Sequence, residues 1–236
     1  MTRWTFDDNG SVQTFDGQGK KIKLLQCNKC NYSGISLSKL GFVFTLNVSK
    51  HRIEEYSGVN GKKIKSIKLE RVCRDPHALD VMETGQVLVV DQESNKIIVY
   101  PNSRVNKPPT VIKHELMREP CDVAATKDCF VVTSMLTKSL LKLDLNGKLI
   151  WSYGLRGGSK GKLLKPHGVC VDEEGRIYVV DQGVNTIYRF TADGELEGKL
   201  CDKQNGTMKM PWYVSVRGGI VAVLYRHNIA ATYEFY

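Results

Sequence analysis

Short apolar runs alternate with polar turns along the chain, most clearly over residues 166–200. An alternating run at 169–171 is followed by a turn that ends in Gly175 and then by a fully apolar run, 177–180. Two further extended runs follow, separated by turns rich in Asp, Asn and Gly. Short apolar runs between such turns are typical of β-strands, and strands that are apolar on both faces are buried on both faces. The stretch therefore predicts one four-stranded sheet packed between two neighbours.

This unit recurs with a nearly constant period. Its first residue, Pro166, aligns with Tyr32, Pro76, Pro120 and Pro211, at spacings of 44, 44, 46 and 45 residues. A period of roughly 40–50 residues with four strands per copy is typical of propeller blades. We therefore predict an all-β fold without helices, a β-propeller of four-stranded blades that start near 32, 76, 120, 166 and 211.

The two ends of the chain predict incomplete blades. Residues 3–26 read as three strands of a blade that lacks its innermost strand, and residues 211–236 supply three more strands. In one arrangement the ring has six blades, with the two terminal blades each short of a strand at the seam. In the other it has five, and N-terminal strands complete the C-terminal sheet. Six is favoured because it uses every strand, and the whole chain, 1–236, is expected to form one domain.

Two copies of the unit carry a recognisable motif. PHGVCVDEEGRIYVVDQGVNTIYRF, from Pro166, and PHALDVMETGQVLVVDQESNKIIVY, from Pro76, resemble the NHL repeat. The resemblance is close over 76–100 and 166–200, moderate over 120–153, and weak over 32–69 and 211–236. In tripartite-motif ubiquitin ligases and related translational repressors this repeat forms the C-terminal propeller. The resemblance thus implies a recognition module, although it is more specific for fold than for activity.

The net charge is +9, from 34 Lys and Arg against 25 Asp and Glu, which favours nucleic acid or an acidic partner. In a propeller, the crossovers between blades and the turns between second and third strands gather on one face, called here the crossover face. By this assignment the crossover face carries more basic than acidic residues, and Lys96 is one of the basic residues. The residues expected to bind RNA or another partner there are Arg71, Arg74, Arg118, Arg156, Lys160, Lys162, Lys165, Lys209, Trp212 and Arg226.

A basic groove with an aromatic side chain suits single-stranded RNA, because cations neutralise phosphates and rings stack on bases. The family resemblance implies RNA as the ligand in some members and protein in others. The alternative is a solvated basic loop with a tryptophan that covers the seam blade.

Three potential metal ligands occupy one repeated position. His77, Cys121 and His167 each follow the proline that opens an inner strand, where side chains are expected to face the axial channel. Imidazole and thiolate groups bind zinc. Peptidyl-hydroxyglycine amidating lyase, whose similar propeller carries axial histidine ligands, therefore gives an alternative function. Three features argue against this lyase: the sequence has only two such histidines, no secretory leader and no disulfide pattern. We therefore expect no catalytic residue, metal or cofactor.

Repeated Asp-Gln pairs end the second strand of two blades. Asp91-Gln92 and Asp181-Gln182 are each followed three residues later by an asparagine, Asn95 or Asn185. Asp and Asn side chains commonly bond the backbone amides of their own turns. We interpret these residues as structural, so that their loss should impair folding and not binding.

The remaining sequence features concern location. Seven scattered cysteines suit free thiols in a reducing compartment, and the N-terminus lacks the apolar core of a signal peptide. No apolar run approaches the roughly 18–20 residues that span a bilayer. We expect a cytoplasmic, non-catalytic module, with no membrane partner, that selects an RNA or protein target for a tripartite-motif ligase. The RING, B-box and coiled coil, and any oligomerisation through them, would lie upstream of this chain.

Overall fold

A computed structural model describes residues 3–6, 12–15, 21–25, 32–69, 71–102, 107–155, 161–201, 210–225 and 230–234. Every regular element in this part of the chain is a β-strand, so the expectation of an all-β fold is confirmed. None of the described residues forms a helix that is long and apolar enough to cross a membrane.

Four four-stranded antiparallel sheets form the centre of the chain. Blade 1 contains β4 (Tyr32–Leu37), β5 (Phe42–Asn47), β6 (Arg52–Ser57) and β7 (Lys63–Lys68). Blade 2 contains β8 (Pro76–Val81), β9 (Val87–Asp91), β10 (Lys96–Tyr100) and β11 (Thr110–Ile112). Blade 3 contains β12 (Pro120–Ala125), β13 (Cys129–Ser134), β14 (Ser139–Asp144) and β15 (Leu149–Tyr153). Blade 4 contains β16 (Pro166–Val171), β17 (Ile177–Asp181), β18 (Thr186–Phe190) and β19 (Leu196–Cys201).

Three-stranded sheets lie at both ends of the chain. The N-terminal sheet contains β1 (Arg3–Phe6), β2 (Val12–Phe15) and β3 (Lys21–Leu25), and the C-terminal sheet contains β20 (Pro211–Arg217), β21 (Ile220–Tyr225) and β22 (Ala230–Glu234). The incomplete terminal blades are thus confirmed. Among the described strands none is shared between the two sheets, so the merged seam of the five-bladed arrangement is not seen. The number of blades in a closed ring, and the single-domain organisation, stay predictions.

The core lies between blades. Clusters of buried side chains join blade 1 to blade 2, blade 2 to blade 3, blade 3 to blade 4, and blade 4 to the C-terminal sheet. In the second of these, Leu88 of blade 2 packs in one cluster with Phe130 of blade 3. All residues of β9, β10 and β17 are buried, because each middle strand has a neighbouring blade on both sides.

Inner strands also approach each other directly. A Cβ atom added at Gly168 on β16 would lie 2.7 Å from both the carbonyl oxygen of Trp212 and the Cα of Tyr213 on β20. Only glycine fits at this distance. The small residue therefore brings Trp212 against blade 4 and positions it for the site described next.

Candidate functional site: the crossover face

The start of each inner strand has the same irregular pairing. The register shifts between Tyr32 and Gly34, between Pro76 and Ala78, and between Pro120 and Asp122, and equivalent shifts follow Pro166 and Pro211. A residue left unpaired in this way turns its side chain away from the regular alternation. One sequence position therefore recurs within these shifts, occupied by His77, Cys121, His167 and Trp212. The place where these inner strands begin is called the channel mouth below.

Aspartate side chains hold the crossovers to their own blades. Asp91 accepts hydrogen bonds from the amides of Arg74 (2.9 Å) and Asp75 (3.1 Å). Asp181 accepts them from Leu164 (2.7 Å) and Lys165 (2.8 Å). Burial opposes ionisation of Asp91, but the amides of Arg74 and Asp75, together with Lys96, lower its pKa. These carboxylates fix the loops that carry the basic side chains.

The asparagines bind the next blade and not only their own turns. The Asn95 side-chain oxygen accepts the amide of Glu119 at 2.6 Å, and that of Asn185 accepts the amide of Met210 at 3.0 Å. Both asparagines have left-handed backbones, with φ near 52°. The structural role predicted for these residues therefore extends across blades: Asp holds the preceding crossover and Asn the following one.

An open cleft of about 390 Å³ lies on this face at blade 2. Its lining residues are Arg71, Arg74, Glu93, Ser94, Lys96 and Lys113. The two arginines come from the crossover before blade 2 and Lys113 from the crossover after it, while Glu93 and Ser94 belong to the turn between β9 and β10 and Lys96 begins β10. Three loops of one blade thus converge on a cleft with four cations and one carboxylate.

The four cations of the cleft differ in availability. Lys96 is almost buried, and its ammonium lies 3.3 Å from the carboxylate of Asp91. Arg71, Arg74 and Lys113 are exposed, and none of them has an ion pair within the described part of the chain. The exposed cations therefore outnumber the single carboxylate of Glu93, and the cleft suits an anionic ligand.

Four of the other predicted binding residues lie within the described part of the chain. Arg118, Lys162 and Lys165 are exposed in crossovers but do not line the cleft. Arg156, Lys160, Lys209 and Arg226 lie outside the described residues. Trp212 is half-buried, with its ring centroid 4.1 Å from that of His167 and the planes tilted by 43°. The expected basic surface is thus divided between a cleft at blade 2 and cations nearer to the channel mouth.

Sequence reasoning missed Lys113 as a site residue and gave Lys96 no special role. Lys113 directly follows the short strand β11, which begins ten residues after Tyr100. A weak outer strand of this kind is difficult to recognise from its sequence. Had that strand been recognised, its end would have placed Lys113 on the crossover face.

The potential metal ligands do not form a ligand set. Among the described residues no three His, Cys, Asp or Glu side chains are grouped to hold a metal ion. Burial raises the pKa of the Cys121 thiol to about 12, and its sulfur contacts the carbonyl of Glu119 at 3.6 Å. A protonated thiol is a poor zinc ligand. The arrangement of His77, Cys121 and His167 therefore does not support the axial metal of the lyase alternative.

Both axial histidines are neutral near pH 7. Burial, together with the charges of the nearby His77 and Lys165, lowers the pKa of His167 to about 4. Burial also lowers the pKa of His77, against the opposing effect of Asp75. The channel mouth therefore offers uncharged imidazoles, in contrast to the charged cleft.

Comparison with known sequences identifies one repeat. Residues 163–190 match the NHL repeat. The chain is 38% identical to protein lin-41 of Caenorhabditis elegans over 50 residues, which are 21% of this chain and 4% of that protein. It is 33% identical to NHL repeat-containing protein 3 of Homo sapiens over 73 residues, which are 30% of this chain and 21% of that protein. The matched region thus spans a small part of either relative.

Solved structures resemble almost the entire chain. A chain in the crystal structure of a nidogen/laminin complex has a TM-score of 0.78 and 13% identity, covering 99% of this chain and 89% of that one. Virginiamycin B lyase from Staphylococcus aureus has a TM-score of 0.65 and 14% identity, covering 98% and 83%. At these identities the likeness concerns the fold alone. The chain is therefore an all-β protein of propeller fold that contains an NHL repeat at residues 163–190.

Proposed function

We propose that this chain is a non-catalytic recognition module that binds single-stranded RNA through its crossover face. The observation that carries the proposal is the cleft in which the exposed Arg71, Arg74 and Lys113 lie with a single lining carboxylate, that of Glu93. Phosphates of an RNA strand would take the place of counterions along these side chains. NHL-repeat propellers are protein- or RNA-binding modules, and the charge of this cleft favours RNA.

Salt dependence tests the proposal. Binding of fluorescently labelled single-stranded RNA decamers of mixed sequence is measured by anisotropy at several KCl concentrations. We expect the double variant Arg71→Glu/Arg74→Glu to bind at least about tenfold more weakly, and the slope of log affinity against log salt to fall by about 2. Each lost phosphate contact removes about one released counterion.

The matched control reverses two exposed lysines on the opposite face of blade 3, Lys127 and Lys148. Lys127→Glu/Lys148→Glu changes the net charge equally, and it should keep wild-type affinity within about threefold because only the charge near the phosphates matters at physiological salt. Equal losses in both double variants would mean that net charge and not the cleft governs binding. Salt-insensitive or undetectable RNA binding by the wild type would refute the proposal.

A protein ligand at the same face is the second candidate, favoured by two exposed leucines. Leu136, in the turn between β13 and β14, is 59% exposed, and Leu164, in the crossover before β16, is 48% exposed. Exposed apolar side chains beside cations are typical of protein interfaces. Under this function, Leu136→Ser/Leu164→Ser and Trp212→Ala would abolish partner binding with little salt dependence, while Arg71→Glu/Arg74→Glu would not.

We further propose that the module selects targets in the cytoplasm for a tripartite-motif ubiquitin ligase. Support comes from the resemblance of residues 76–100 and 166–200 to the propeller repeats of those ligases. The test is the full-length transcript that contains this chain. An upstream RING and B-box would support the ligase role, and a transcript without them would refute it.

A further inference from the structure

Three side chains at the channel mouth have buried polar atoms without hydrogen-bond partners in the described part of the chain. His167 is 4% exposed and Gln182 is 6% exposed. Within the described part of the chain, neither the Nδ1 atom of His167, nor either amide atom of Gln182, nor Nε2 of His77 has a partner. Buried polar atoms are nearly always satisfied in native proteins. These unsatisfied atoms therefore mark a place where an external group can bond.

Gln182 has an equivalent in blade 2, Gln92. Comparison of the two shows that the repeated fold does not by itself leave this side-chain amide without a partner. Gln92 and Gln182 each follow the second strand of a blade, and their backbone amides donate equivalently, to the carbonyls of Asp75 (3.1 Å) and Lys165 (2.9 Å). The Gln92 side chain is satisfied, since its Nε2 donates to the carbonyl of Pro120 at 3.2 Å. Gln182 has the equivalent position two blades later but has no such bond within the described part of the chain.

The neighbouring blade explains the difference. Gln92 lies beside Cys121, with its Nε2 atom 3.7 Å from the sulfur. The residue at the position of Cys121 in the C-terminal sheet is Trp212, and β17 contacts the strand that carries it. An indole is far larger than a thiol, and its ring packs on His167. His167 therefore packs on Trp212, and the repeat pattern places Gln182 beside Trp212 as Gln92 lies beside Cys121; both His167 and Gln182 have buried polar atoms without a described partner.

The chemistry of this group favours an uncharged planar ligand. A glutamine amide offers one donor and one acceptor side by side, which matches the edge of a nucleobase. The indole and imidazole rings offer aromatic surface, on which bases stack. None of these three side chains carries a charge at neutral pH, and Lys165 is a charged residue close enough to His167 to lower its pKa.

We infer that the channel mouth formed by His167, Gln182 and Trp212 binds one nucleobase of the bound RNA strand, an inference that rests on the RNA-binding function proposed above. The phosphates supply affinity in the cleft, and Gln182 distinguishes among bases. The site therefore adds base preference to an interaction that is otherwise independent of sequence.

The test separates bases from phosphates. Wild-type protein is titrated with RNA decamers of U, A, C and G and with an abasic decamer that keeps every ribose and phosphate. We expect at least one base decamer to bind about tenfold more tightly than the abasic decamer. In Gln182→Leu this ratio should fall to about threefold or less, with the abasic affinity and the salt slope unchanged.

The control is Gln92→Leu, the same change at the repeat position where the amide is bonded. It should lower the unfolding temperature but keep the base preference. Gln182→Leu should unfold at or above the wild-type temperature, because its amide loses no partner. If Gln182→Leu does not fold, His167→Phe keeps an aromatic ring beside Trp212, removes Nδ1, and should reduce the same ratio.

Two results would overturn the inference, and they are distinguishable. A wild-type base preference in both Gln182→Leu and His167→Phe, with a normal salt slope, refutes the base site but leaves RNA binding through the cleft intact. Absence of salt-dependent binding to all five decamers by the wild type refutes the RNA function and the base site together.

Discussion

The carboxylate of Asp122 accepts a hydrogen bond from the backbone amide of Val169 at 2.9 Å, and so joins the inner strands of blades 3 and 4. Its other oxygen accepts the amide of Val123 at 2.9 Å. Asp80 forms the equivalent link one blade earlier, to the amide of Ala125 at 2.7 Å. Buried carboxylates thus connect successive blades at the axis, where no apolar contact can satisfy a strand amide.

This buried position predicts that stability declines as pH rises towards 8. Burial raises the pKa of Asp122 to about 8, so the folded protein holds a proton there that the unfolded chain releases near pH 4. Stability therefore falls by up to about 1.4 kcal/mol per pH unit as pH rises from about 4 to 8. The lowered pKa values of His77 and His167 have the opposite effect on stability, because they make it rise with pH. That effect is confined to pH values below about 6.5.

Urea unfolding of the wild type and of Asp122→Asn between about pH 7 and 8 gives the Asp122 contribution as the difference between their slopes, because Asp80 and the buried cysteines, whose pKa values are also raised, are present in both proteins. In Asp122→Asn the decline should be shallower, although the variant is less stable throughout because an amide has one acceptor oxygen for two backbone donors. The exposed Asp128→Asn on the opposite face should keep the wild-type slope. Parallel curves for all three proteins would show that Asp122 does not titrate in this range.

Replacing Gly168 with alanine should separate the blades that carry the proposed base site. The added Cβ would lie 2.7 Å from backbone atoms of β20, which cannot move without shifting the strand. We expect the free energy of unfolding to fall by about 1–3 kcal/mol. Gly198→Ala, on β19, is the control: its Cβ would meet no atom within 4 Å, and its effect should stay within about 0.5 kcal/mol. Similar effects in both variants would contradict the close approach of β16 and β20.

Glu54 should stabilise blade 1 through its charge. Its carboxylate is buried and accepts hydrogen bonds from the hydroxyls of Tyr56 (2.8 Å) and Tyr32 (3.0 Å), and it pairs with the ammonium of Lys63. Burial opposes ionisation, but the bonds from Lys63, Tyr56 and their neighbours lower the pKa to about 2. Glu54→Gln should therefore cost about 1–3 kcal/mol at neutral pH.

The pH dependence of the Glu54 effect distinguishes charge from shape. Because the pKa is lowered on folding, the stabilisation is complete above about pH 4.5 and is lost as pH falls towards 2. The difference between wild type and Glu54→Gln should therefore shrink over this range. Glu83→Gln removes an exposed partner of Lys39 and should change stability by less than about 0.5 kcal/mol. A difference that does not vary with pH would assign the effect to shape.

The sequence by itself determined the blades. Polar turns at a period near 45 residues, with apolar runs between them, specify strands that must be buried on both faces, and the inner strands begin at Tyr32, Pro76, Pro120, Pro166 and Pro211 as aligned. The Asp and Asn turn residues were also recognisable, because their short side chains bond nearby backbone amides.

Only the tertiary structure decided which distant side chains share a site. Lys113 and Arg71 are 42 positions apart in sequence and join one cleft because successive crossovers return to the same face. Gln92 and Gln182 are equivalent in sequence pattern, yet one is bonded and the other is not, because the neighbouring blade presents Cys121 in one case and Trp212 in the other. In a repeat protein the local sequence pattern determines the strands of each unit. A site between two units depends instead on which side chains the packing of those units brings together.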